Sequence, residues 1–158
     1  MTDAPTRLVI PNDLWQEITA HVQMCLPEEG CGLLGGTLAE DGGGVVSTVL
    51  PVENALHSAV RYRMEPAAQL QAFYALEERG LEMLAIFHSH PQGPEHPSPT
   101  DLNEFAYPGV LSLILYMPGG SGAQPSARDW LGRAYRIDNL AHRSAAASEV
   151  SLAIEIPL

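Results

Sequence analysis

The sequence predicts an α/β domain in which a mixed β-sheet is covered by two principal helices. Two short apolar runs without alternation, Met83–Phe87 and Val110–Tyr116, read as strands buried on both faces. Two other segments carry apolar residues at three- and four-residue spacing, the pattern of helices with one buried side. At 158 residues the chain has single-domain size, enough for both kinds of element to share a core. We read residues 1–158 as one domain. Its recognisable core spans about 8–137, and the tail, 138–158, ends in a strand.

Leu8-Val9-Ile10 forms a short first strand closed by Pro11. Asn12 is placed to cap a helix whose Leu14, Trp15, Ile18, Val22 and Cys25 share one side, and Pro27 ends it. Glu28–Gly36 is a glycine-rich strand whose backbone must lie close to a neighbour. A turn through Glu40-Asp41 and three glycines leads into the returning strand Val45–Val52. Two arginines alternate with Val60, Tyr62 and Met64, predicting a half-exposed strand. Pro66 suits the first turn of the second helix, Leu70, Phe73 and Tyr74 supply its stripe, and Gly80 follows Arg79 as terminator. Pro91–Thr100 is a proline-rich loop, followed by a short helical stretch to Phe105. Asp129–Ile137 reads as a further strand, and Val150, Leu152, Ile154 and Ile156 alternate along the terminal one. Only Gly119–Ser126 and Ala141–Ser148 are compositionally biased.

Composition narrows the function classes. The formal charge is −11, from 19 acidic and 8 basic side chains, and all eight are arginine. That balance repels phosphate backbones and anionic lipid surfaces, so neither nucleic acid nor membrane is expected as a partner. Without lysine no side-chain amine is available for Schiff-base chemistry. The first residues show no basic and apolar signal pattern, and Cys25 and Cys31 are the only thiols. The expectation is a cytoplasmic protein with both cysteines reduced.

The segment richest in chemistry is His88-Ser89-His90-Pro91, followed by Ser98-Pro99-Thr100-Asp101. Residues i and i+2 of an extended strand share a face, so two imidazoles converge at the end of a buried strand. The loop is long enough to return Asp101 as a third ligand. Three protein ligands leave a fourth position open, the arrangement of a catalytic zinc. A bare His-x-His arises about 0.2 times in a random ordering of this composition. Requiring Pro91, Ser98 and Asp101 as well lowers the expectation to the order of 10⁻⁵ to 10⁻⁴. A carboxylate on a glycine-rich approach would take a proton from water, zinc would polarise the carbonyl, and the Ser98 hydroxyl would donate to the developing oxyanion.

These motifs resemble the signature of the JAMM (MPN-domain) metalloprotease family, in its small stand-alone bacterial form. Pro27-Glu28-Glu29-Gly30-Cys31 matches the setting of that family's upstream glutamate, and Pro51-Val52-Glu53-Asn54 with the second helix extends the match. The resemblance implies an MPN-like (cytidine-deaminase-like) curved sheet, with a short helix after the metal loop. It implies one Zn2+ on His88, His90 and Asp101, with Glu29 as general base and Ser98 as oxyanion donor. It further implies hydrolysis of a peptide or isopeptide bond at the C-terminal Gly-Gly tail of a ubiquitin-like or sulfur-carrier protein.

Each residue also has a plainer structural role. Ser98 and Asp101 have the spacing of a capping box around Pro99, a role compatible with the chemical one. Glu28 and Glu29 could be two solvated acids after a helix, and only register against the family pattern separates them. His96 is an alternative ligand inside the loop. Asn54 either lines a substrate groove or makes a turn. Cys31 reads as a small buried residue, and His21, His57 and His142 as ordinary histidines. The competing functions are a non-catalytic scaffold module, against which the complete motif argues, and another zinc hydrolase. The deaminase pattern His-x-Glu with Pro-Cys-x-x-Cys and the zincin pattern His-Glu-x-x-His are both absent.

Overall fold

The computed structural model describes residues 4–118, 126–138 and 146–155. Seven strands form one curved sheet: β1 (Arg7–Pro11), β2 (Cys31–Leu38), β3 (Gly44–Val52), β4 (Glu82–His90), β5 (Leu111–Tyr116), β6 (Leu131–Asp138) and β7 (Ala146–Glu155). Three helices accompany it: α1 (Asn12–Cys25), α2 (Pro66–Glu78) and α3 (Pro99–Glu104). The strand order is β1-β3-β2-β4-β5-β6-β7. The sheet curls far enough that β7 also lies parallel to β1, pairing Leu8 with Leu152 and Ile10 with Ile154. Strand β4 is central, antiparallel to β2 and parallel to β5.

The two faces of the sheet carry separate apolar clusters. On one, Ile18 and Val22 of α1 pack with Leu8, Ile10, Phe87 and Leu113. On the other, Ala72 and Leu76 of α2 pack with Leu33, Ile86 and Ile114. Because side chains alternate along a strand, the even-numbered residues from Ile86 to His90 face the α2 side.

The glycines of β2 explain how the sheet closes up. A Cβ on Gly32 would stand 2.6 Å from the Leu50 carbonyl oxygen and 2.6 Å from the Phe87 ring. That spacing permits no side chain. The ladder between β2 and β3 also shifts register between Gly35 and Gly36, an irregularity that bends the pair.

Several local expectations are corrected. Asn12 is the first helical residue of α1 and makes no side-chain cap; Pro11 occupies the cap position. The segment with Val60, Tyr62 and Met64 is not a strand but a loop carrying the isolated bridge Asn54–Met64 outside the named strands. The buried side of α2 is Ala72 and Leu76, whereas Leu70 and Tyr74 of the expected stripe are exposed. The start of β6 lies at Leu131, because Ser126 and Asp129 cap a 3₁₀ turn ahead of it. Most of the two biased segments, together with Ile156 and His142, lies outside the described residues.

Candidate metal centre

The end of β4 sets two of the groups. His88 is wholly buried between Cys31 of β2 and Ile114 of β5, and His90 follows on the same face. Their Nε2 atoms are 3.0 Å apart. The third group arrives on α3. Ser98 Oγ accepts the Asp101 backbone N–H at 3.0 Å, while Asp101 Oδ2 accepts the Ser98 N–H at 2.9 Å. The capping box is therefore complete, with Pro99 in the first turn. The same Oδ2 stands 3.2 Å from His88 Nε2 and 3.1 Å from His90 Nε2. Cap and ligand geometry coincide in a single oxygen.

Three donor atoms in a triangle of 3.0–3.2 Å fit one small ion. The ligand atoms of a tetrahedral zinc, with bonds of about 2.0–2.1 Å, stand roughly 3.3–3.4 Å apart. The tautomer fits as well. His90 Nδ1 is 2.7 Å from the Pro94 carbonyl oxygen, which only accepts, so Nδ1 carries the proton and the Nε2 lone pair faces the triangle. The His88 ring has no such partner at its buried Nδ1, and it is stacked on Tyr62 instead, 4.4 Å between centroids.

Glu29 completes the cluster. Its carboxylate and the ring nitrogens of His88 and His90 lie within 4.8 Å of one another. Its Oε1 is buried without a hydrogen-bond partner. Backbone contacts hold it from three directions: its N–H donates to Ser58 O at 2.8 Å, its C=O accepts from Asn54 Nδ2 at 3.0 Å, and the next amide, Gly30 N–H, donates to Ser89 Oγ at 2.8 Å. Glu28 turns outward instead, where it pairs with the exposed His57 at 3.3 Å.

Electrostatics separate the two carboxylates. Burial pushes Glu29 up to about 8, against the nearby His90, while Asp101 adds to the rise. Burial alone would raise Asp101 too, but the imidazoles of His88 and His90 beside it prevail and hold it well below the usual carboxylate range. His88 is lowered by burial. For His90 burial is outweighed by Asp101 and the Pro94 carbonyl, which raise it. One acid stays ionised beside the imidazoles while the other is poised to carry a proton.

A groove of about 430 Å³ leads away from Asp101 between Tyr62, Arg63 and Gln69 on one side and Glu104 and Tyr107 on the other. Arg61 and Glu104 form an exposed ion pair at 2.9 Å.

The structure thus brings Glu29, His88, His90 and Asp101 together, with Ser98 as the cap beneath Asp101. His96 is exposed and its Nδ1 lies near the Pro97 carbonyl, outside the cluster. The Cys31 thiol donates to Val52 O at 3.3 Å and is pushed up to about 12, chiefly by burial, which favours the protonated thiol of a small buried residue. Residues that sequence reasoning missed are Ser89 and Tyr62. Strand alternation could have found Ser89, since a residue between two inward histidines must face the other way. Nothing in the sequence marks Tyr62 as the partner of an imidazole.

Comparison with known proteins gives consistent results. Residues 11–137 match the family described as prokaryotic homologs of the JAB domain. The chain is 42% identical over 118 residues to a probable TtuB-protein conjugate cleaving protease of Thermus thermophilus, covering 68% of this chain and 76% of that one. It is 34% identical to a CysO-cysteine peptidase of Mycobacterium tuberculosis, covering 68% and 72%. A solution structure of a protein from Desulfitobacterium hafniense superimposes with a TM-score of 0.73 at 30% identity, covering 94% of both chains.

Proposed function

The chain belongs to the prokaryotic JAB-domain family, and on that premise we propose that it is a zinc peptidase acting on a protein tail. The bond cut is a peptide or isopeptide bond after the C-terminal Gly-Gly of a ubiquitin-like or sulfur-carrier protein. The two similar enzymes cleave a protein conjugate and a carrier–cysteine adduct by name, which supports that substrate class. The observation that carries the reading is the triangle of His88, His90 and Asp101 with the buried Glu29 carboxylate beside it.

His88 Nε2, His90 Nε2 and Asp101 Oδ2 would hold the metal. A zinc ion held there supplies Lewis acidity, making water acidic enough to act near neutral pH and drawing charge from a carbonyl oxygen. Glu29, raised and with its Oε1 free of hydrogen bonds, takes the water's proton and returns it to the leaving amine. Ser98 Oγ spends its lone pair on the Asp101 amide, which leaves its O–H free to donate to the oxyanion. A Gly-Gly tail, without side chains, lets the peptide backbone come close to the metal triangle and to Glu29.

The reading treats residues 1–158 as one catalytic domain, supported by the pairing of β7 with β1. It places the enzyme in the cytoplasm, where the free thiols of Cys25 and Cys31 stay reduced. Among the described residues no helix is long and apolar enough to cross a membrane.

The test incubates the zinc-loaded protein with sulfur-carrier proteins extended past Gly-Gly and follows the mass. Wild type removes the extension. Glu29→Gln keeps its zinc and loses about 10²–10⁴-fold in rate. Undiminished cleavage by Glu29→Gln moves the base elsewhere, and wild type that binds zinc but cuts no carrier overturns the substrate assignment.

A further inference from the structure

We propose that Asn54 is a positioning residue that locks the Glu29 turn and the groove-lining strip Arg61–Arg63 into one rigid piece. The inference rests on the functional reading above and goes beyond it. Asn54 is buried just past the end of β3 and uses the whole capacity of its amide. Nδ2 donates to Glu29 O at 3.0 Å and to Arg61 O at 3.0 Å, while Oδ1 accepts from the N–H groups of Leu56 and Arg63, both at 3.1 Å.

Two donors and two acceptors are all that an asparagine side chain offers. No other residue type of this length supplies both. Aspartate lacks the donors, and leucine lacks everything. The four partners belong to three segments: the turn carrying the candidate base, the turn after β3, and the strip bearing Tyr62 and Arg63, the last two also joined by the Ala55 N–H to Arg63 O bond at 2.8 Å. That strip lines the groove and lays the Tyr62 ring on His88. Glu29 N–H is tied to the same loop through Ser58 O.

The carboxylate of Glu29 makes no side-chain hydrogen bond through Oε1, so its position is set through its backbone. Asn54 holds one of the two polar handles on that backbone. The metal triangle, by contrast, is set by β4 and the α3 cap, neither of which Asn54 touches. Loosening Asn54 therefore displaces the base and the groove edge, whereas the histidines and Asp101 keep their supports on β4 and α3 even where the Tyr62 ring shifts on His88. A misplacement of about 1 Å costs on the order of 10²-fold in rate.

The experiment uses the zinc-loaded full chain as wild type, Asn54→Asp and Asn54→Ser. Asn54→Asp keeps acceptors for Leu56 and Arg63 but offers no amide donors to Glu29 and Arg61. Zinc affinity, kcat and KM on an extended carrier, and amide hydrogen exchange are measured for each. The expected result is unchanged zinc affinity with kcat lowered about 10- to 100-fold in both variants. Exchange at the Glu29 amide rises in both, while the Leu56 and Arg63 amides stay protected in Asn54→Asp and open in Asn54→Ser. Wild-type kcat in either folded variant, or zinc affinity falling with activity, overturns the proposal. If Asn54→Asp does not fold, Asn54→Ser decides by the same criteria. Should the zinc-loaded wild type cut no carrier, the functional reading fails, and the locking role is then decided by exchange alone: unchanged Glu29 exchange refutes it.

Discussion

A carboxyl oxygen buried without a hydrogen bond opposes folding when it is ionised, and Glu29 holds one. The unfolded residue ionises near 4.5, whereas in the folded, metal-free protein burial pushes it up to about 8. Between these values the unfolded chain has given up a proton that the folded one retains. Stability contributed by the protonated side chain is thus full below about 4.5 and is lost as pH rises through about 8. Glutamine cannot ionise and escapes that loss. Zinc-stripped Glu29→Gln should match wild type in urea denaturation at pH 4 and exceed it by roughly 1–4 kcal/mol at pH 8.5. An equal gap at both pH values would show that Glu29 is not held protonated by its surroundings. At this scale the convergence of His88, His90 and Asp101 was legible, because spacing on an extended strand and across one loop carries direction. The choice between Glu28 and Glu29 was not, because a turn gives neighbouring side chains no fixed facing. The structure turns Glu28 toward His57 and Glu29 toward the histidines.

Among the elements, α3 is six residues long, too short to persist without help. Its capping box supplies that help, and the N3 residue of the box is Asp101. Loss of the cap and loss of the third ligand position are therefore the same event. Ser98→Ala should lower stability by about 1 kcal/mol and zinc affinity by about 10-fold. Its kcat at saturating zinc should fall about 10²-fold or more if, as proposed, the same hydroxyl donates to the oxyanion. Metal titration followed by assay at saturating zinc separates the two effects; full activity at saturation would leave Ser98 only its structural role. Strands β4 and β5 were legible because burial on both faces removes alternation. The arginine-flanked segment misled because Asn54 takes backbone groups that a sheet neighbour would otherwise take. The stripe of α2 was misplaced because bulky residues at helical spacing outweighed Ala72 and Leu76, which fit closer to the sheet.

For the molecule as a whole, the mixed sheet and its helices followed from local patterns. The curl that pairs β1 with β7 did not, since it joins residues more than 140 apart in sequence. Strand β4 lies between β2 and β5, and its end presents two imidazoles to a helix whose cap carries Asp101, the proposed third ligand. The account stands on a single ion held by His88, His90 and Asp101. Its most direct test strips the metal with a chelator and titrates zinc back while following cleavage of an extended carrier. Activity should vanish on stripping and return linearly to a plateau at one zinc per chain. Full activity in the stripped protein, or a plateau unrelated to one equivalent, would contradict the account.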